Sequence, residues 1–90
     1  MKKAIYKVPN GKLLKIFLDD ADGKIVSIKI TGDFFVHPEE NIEKLENYLR
    51  GTAVLQEPIS LKIKEFMDAE PTTFFGLDTA SLVTTILSAA

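Results

Sequence analysis

Ninety residues, 46% of them hydrophobic and 27% charged, allow one modest core and leave too little chain for an ATP-dependent enzyme with separate nucleotide, acyl and protein sites. The lack of cysteine excludes disulfides, thiolate catalysis, sulfur relay and iron–sulfur assembly, and a lone His37 cannot build a histidine metal site. The formal net charge of −2 divides unevenly: residues 1–31 carry seven Lys against three Asp, and residues 32–90 four basic against ten acidic, so the first third suits an acidic partner. No run of about 18 apolar residues spans a membrane, and the Met-Lys-Lys start leads into an alternating segment, not a secretion signal. A cytoplasmic domain that contacts neither membrane nor nucleic acid is expected.

Alternating apolar and polar residues predict strands over about 3–8, 12–19 and 24–31, joined through Val8-Pro9-Asn10-Gly11-Lys12 and Asp20-Ala21-Asp22-Gly23-Lys24. A two-residue turn in the second hairpin would set Leu18 opposite Ser27 and Ile16 opposite Lys29, because a one-residue slip turns every side chain to the other face. Three-residue loops, each closed by a left-handed glycine, Gly11 or Gly23, restore the match. One face then carries Ala4, Tyr6, Val8, Leu14, Ile16, Leu18, Val26, Ile28 and Ile30, the predicted core layer. The other carries Ile5, Leu13, Phe17 and Ile25 among Lys3, Lys7, Lys15, Lys29 and Ser27, with Lys15 facing Lys29 across the strands.

The β pattern stops at Thr31-Gly32-Asp33-Phe34-Phe35-Val36-His37-Pro38-Glu39-Glu40. Gly32 supplies backbone freedom at the strand end, Pro38 reads as a first helical residue, and Glu39 and Glu40 favour the positive end of a helix dipole. Of the adjacent rings, one is expected to face the core and the other solvent or a partner. A one-sided helix follows over about 38–50, burying Ile42, Leu45 and Leu49 and closed by Gly51. A second helix is predicted over about 58–69, although Ile59, Leu61 and Ile63 also alternate as a strand would. A third, over about 79–88, is capped by Asp78 or Thr79 and buries Leu82, Val83, Ile86 and Leu87. The expectation is a two-layer α+β domain: a three-stranded antiparallel sheet with two or three helices packed on one face.

Candidate chemistry is sparse. Asp33, Glu39 and Glu40 as a Mg²⁺ site are outweighed by a turn aspartate and two dipole-complementing glutamates. Asp19, Asp20 and Asp22 lack the glycine and distal glutamate of a calcium loop. His37 has no partner at a catalytic spacing and reads as a helix-entry residue. The lysine face with Phe17 lacks arginine and a paired aromatic motif, which argues against single-stranded nucleic acid.

Gly32-Asp33-Phe34-Phe35, then Pro38-Glu39-Glu40 and a helix ending Leu45-Glu46…Leu49-Arg50-Gly51, resemble the small accessory domain of lipoate-protein ligases. The opening Lys7-Val8-Pro9-Asn10-Gly11-Lys12-Leu13-Leu14-Lys15 resembles the family's start, with Asn10 in place of a glycine. The resemblance implies a non-catalytic subunit paired with a large catalytic subunit that carries the adenylate loop and the catalytic lysine. It implies that the complex, not this chain, uses lipoate, ATP and Mg²⁺, forming lipoyl-adenylate before transfer to a lysine of a lipoyl-carrier protein. On that basis Lys7, Lys12, Lys15, Phe17, Asp33, Phe34 and Phe35 are candidate contacts with the catalytic subunit. The alternative is a stand-alone interaction module sharing only the α+β layout.

Overall fold

The alternating segments form β1 (Lys2–Lys7), β2 (Leu13–Ala21) and β3 (Lys24–Gly32), an antiparallel sheet of order β1-β2-β3, in a computed structural model that describes residues 1–90. Then follow β4 (Phe35–His37), α1 (Asn41–Tyr48), α2 (Gln56–Ala69), β5 (Thr73–Phe75) and α3 (Thr79–Ala89). β4 and β5 pair antiparallel as a separate two-stranded ribbon, which the sequence reading did not anticipate.

Register decides the core, and it corrects the reading in three places. In the first hairpin the Gly11 N–H donates to the Val8 carbonyl (2.9 Å) across Pro9-Asn10, and Asn10 (φ 56°), not Gly11, is the left-handed residue. Proline followed by a left-handed Asn matches the two central positions of a type II turn. In the second hairpin Ala21 pairs with Lys24 around a two-residue turn whose Asp22 (φ 53°) and Gly23 (φ 74°) are both left-handed. The parity conflict foreseen for such a turn is absorbed by a bulge: Asp19 opposes Ser27 while Asp20 opposes Ile25, leaving Val26 as the extra residue. Beyond it Leu18 faces Ile28 and Ile16 faces Ile30, as the apolar pattern requires. Ile25 is therefore 2% exposed, in the core, and Val26 is 54% exposed, the reverse of the expected assignment. Finally, Lys15 faces Thr31, and Lys29 faces Phe17, so the like-charge pair does not form.

α3 lies across β1 and β2, α1 lies against β3, and α2 packs on α1 and α3. Leu14, Ile16 and Leu18 from the sheet meet Leu45 and Leu49 of the α1 region, Ile59, Ile63 and Phe66 of α2, and Leu82 and Ile86 of α3 in one cluster. Each such burial contributes about 1.5–3 kcal/mol before folding entropy is set against it. Helical period wins over alternation in α2, since Ile59, Ile63 and Phe66 are buried while Leu61 is outside. Pro58 falls in the first turn of α2, which starts at Gln56, where a missing N–H costs no helical bond. α1 begins three residues later than expected: the Pro38 and Glu39 carbonyls accept three-residue-turn bonds from the Asn41 (3.1 Å) and Ile42 (3.4 Å) N–H groups before α-type pairing begins. The Asp78 carboxylate caps α3 by accepting from the Ser81 N–H (2.7 Å).

The two edges of the sheet are treated differently. Along β3, Ile25 donates to the Thr52 carbonyl (2.9 Å), Gly51 donates to Ile25 (2.8 Å), and the Ile30 N–H donates to the Glu46 carboxylate of α1 (2.6 Å). Along β1 no other element approaches except β2 and α3. Gly32 leaves the sheet with φ 151°, and a Cβ there would lie 2.1 Å from the Leu13 carbonyl oxygen.

Candidate functional site

The helices pack on the buried face of the meander, so its other face is formed by alternate residues that no helix covers, with Leu13, Lys15 and Phe17 half-buried among their cross-strand neighbours. The register arranges these in rows. Phe17 lies between Lys3 and Lys29, and Lys15 between Ile5 and Thr31. Leu13 lies between Lys7 and Asp33, whose N–H donates to the Leu13 carbonyl (3.0 Å). The Lys3 ammonium stands 5.9 Å from the centre of the Phe17 ring, at the outer range of a cation–π contact. Lys3, Lys7, Lys15 and Lys29 have no carboxylate partner. The acid at the far end of this face, Asp19, is taken by the N-terminal amine (3.5 Å) and the Ser27 hydroxyl (3.2 Å). Such a face favours a partner carrying both carboxylates and apolar groups.

A second patch adjoins it. Phe35 and Phe75 are cross-strand partners in the β4–β5 ribbon and are 70% and 55% exposed, whereas Val36 points inward and Phe34 packs against the core. One ring of the Phe34-Phe35 pair thus faces inward and one outward. The ribbon is fastened to the first hairpin at Gly76, whose carbonyl accepts from the Lys12 N–H (2.9 Å). At φ 82°, with a Cβ position 2.5 Å from Lys12 Cγ, Gly76 lets the two backbones meet. Lys7 closes the same corner by donating to the Gly11 carbonyl (2.6 Å). Of the candidate residues, Lys7, Lys12 and Phe35 are thereby gathered at one corner, and Lys15 and Phe17 extend along the sheet. Asp33 is exposed beside Leu13, and half-buried Phe34 packs against the main cluster. Phe75 was missed, although Phe74-Phe75-Gly76 repeats the double-aromatic signal of Phe34-Phe35.

Elsewhere the surface holds little chemistry. His37 is exposed opposite Thr73, and no three His, Asp or Glu side chains converge to hold a metal ion. A groove of about 560 Å³ runs between α2 and α3, away from every candidate residue. The Lys44 ammonium is held above its ordinary pKa by a hydrogen bond from Lys44 to Glu70 (2.9 Å), by the charge of Glu70, and by that of Glu40. No helix is long and apolar enough to cross a membrane.

Residues 5–86 match the family model of the bacterial lipoate protein ligase C-terminus. The chain belongs to this lipoate-protein ligase family. It is 41% identical over 61 residues to subunit 2 of lipoate-protein ligase A from Thermoplasma acidophilum, a match covering 68% of this chain and 62% of that relative's length. It also superposes, with a TM-score of 0.76 and 29% identity, on a chain from a structural study of a bipartite lipoate protein ligase and its E2 lipoyl domain from the same organism. That match covers 94% of this chain and 90% of the other. The α+β architecture of this lipoate-ligase domain is thus shared with a solved relative.

Proposed function

We propose that this chain is the non-catalytic accessory subunit of a lipoate-protein ligase, acting in the cytoplasm beside a large catalytic subunit during ATP-dependent activation of lipoate to lipoyl-adenylate. Lipoate, ATP and Mg²⁺ are bound by the complex, and the lipoyl group then passes to a lysine of a carrier protein. The observation that carries this reading is the uncovered sheet face: its lysines, Phe17 and the adjoining Phe35–Phe75 pair form an apolar and cationic surface on a member of a ligase family. A domain of this size accelerates a reaction without touching the reacting atoms when it binds the competent conformation of its partner more tightly than the incompetent one. The contacts are Lys7, Lys12, Lys15, Phe17, Asp33 and Phe35, with Phe34 in support. Mixing the chain with the catalytic subunit, lipoate and ATP and following pyrophosphate release tests the reading. Stimulation over the catalytic subunit alone supports it, and none refutes it.

A further inference from the structure

We infer that the free edge of β1 is a strand-addition site for an extended segment of the catalytic subunit that carries acidic residues at alternate positions. The inference rests on the subunit reading above and adds how the two chains join. Val8 donates to the Lys12 carbonyl (3.1 Å), which sets the alternation along β1: Tyr6, Ala4 and Lys2 direct their peptide groups at β2, and Lys7, Ile5 and Lys3 direct theirs away from it. Each of these three outward residues offers one N–H and one C=O. At the opposite edge of the sheet part of the corresponding row is occupied, the Ile30 N–H by the Glu46 carboxylate and the Ile25 peptide groups by Gly51 and Thr52. The chain thus engages one edge through α1 and the Gly51–Thr52 segment, and bonds nothing to the outward groups of β1.

Charge selects the occupant. Lysines on an edge strand ordinarily guard against unwanted pairing, and here they do so against a second copy of the chain. Antiparallel self-pairing centred on Ile5 would set Lys3 opposite the copy's Lys7, and Lys7 opposite its Lys3, two like-charge cross-strand pairs. An incoming segment with Asp or Glu at those positions and an apolar residue opposite Ile5 converts both repulsions into attractions. It also covers an isoleucine that is 52% exposed. Neither lysine has a carboxylate partner: Lys7 donates to the Gly11 carbonyl, and Lys3 approaches the Phe17 ring. Lys2, whose peptide group points at β2, is instead paired with Asp20 (3.0 Å).

Amide hydrogen exchange on the unmodified chain, free and with the catalytic subunit, tests the inference beside the pyrophosphate assay on the same mixture. Protection of the Lys3, Ile5 and Lys7 amides by about tenfold or more on complex formation is expected, because those N–H groups gain partners. Ile5→Pro removes an outward N–H while leaving the bonds to β2, a placement edge strands accept. Once its fold is confirmed by circular dichroism, it should bind about tenfold or more weakly, and Lys3→Glu/Lys7→Glu should lose affinity similarly. Stimulated pyrophosphate release with unchanged exchange at the three amides overturns strand addition and leaves the subunit reading standing. Absence of both a complex and stimulation overturns the subunit reading, and the strand-addition inference falls with it.

Discussion

The bulge in β3 makes opposite demands on two adjacent β-branched residues. Truncating each to alanine tests which phase the strand adopts. Ile25→Ala deletes three carbons from a side chain that is 2% exposed in the main cluster. At about 0.8 kcal/mol per methylene the transfer loss is about 2.4 kcal/mol, and incomplete collapse of the cavity raises it to about 3–4 kcal/mol. The two hydrogen bonds made by Ile25 use its backbone, so they survive the substitution and the loss reports the side chain alone. Val26→Ala trims a side chain that is 54% exposed and should cost no more than about 0.5 kcal/mol. For a domain of this size the first change lowers Tm by about 12–30 °C and the second by a few degrees. Urea unfolding followed by circular dichroism, with the slope unchanged, gives both values. If Val26→Ala costs as much as Ile25→Ala, the strand runs without the bulge and the register above is wrong.

Substitutions at four further positions, Glu46, Gly32, Gly23 and Glu70, test the frame that holds the surface. Glu46→Ala removes the acceptor of the Ile30 N–H and should destabilise by about 1–2 kcal/mol, with Glu46→Gln recovering part of it; equal stability of all three in urea would show that the edge needs no cover. Gly32→Ala forces a Cβ against the Leu13 carbonyl and should cost more than about 2 kcal/mol, whereas Gly23→Ala, with open space around it, should cost only about 1–2 kcal/mol for its left-handed backbone; equal losses would refute the contact. Because Glu70 raises the Lys44 pKa, this ion pair's contribution is complete below the ordinary lysine value and is lost as pH rises through the higher folded one. Glu70→Gln should lower the Lys44 midpoint in an NMR titration, and an unchanged midpoint would remove Glu70 as the cause.

Strands, helices and the two faces of the meander were legible because alternation and helical period are strong over six or more residues. The bulge was not, because Ile25 and Val26 are both apolar and β-branched and satisfy either phase. Asp22-Gly23 carried the missing signal, being a pair suited to the two left-handed positions of a tight hairpin turn. The ribbon was invisible for another reason: three-residue strands are too short to show a period, and β4 and β5 are separated by two helices. The same gap hid half of the candidate surface. That one ring of the Phe34-Phe35 pair faces outward was legible, but that it is Phe35, that Phe75 stands opposite it, and that Gly76 ties both to Lys12 follows only from long-range pairing.

The distribution of charge gives the surface a direction. The meander's open face displays lysines, while α1 and the residues leading into it carry Glu39, Glu40, Glu43 and Glu46, so an acidic partner is drawn to one side of the domain and repelled from the other. On the proposed accessory role, orientation matters more than tightness. Raising the competent fraction of a catalytic partner tenfold requires only about 1.4 kcal/mol of preference for that conformation, which a few cross-strand pairs at about 0.2–1 kcal/mol each supply. A lysine row and an open strand edge supply interactions of that size only when the partner's segment is extended and in register. A partner whose corresponding segment is coiled or displaced loses them all together, and that difference is what a helper domain needs in order to favour one conformation over another.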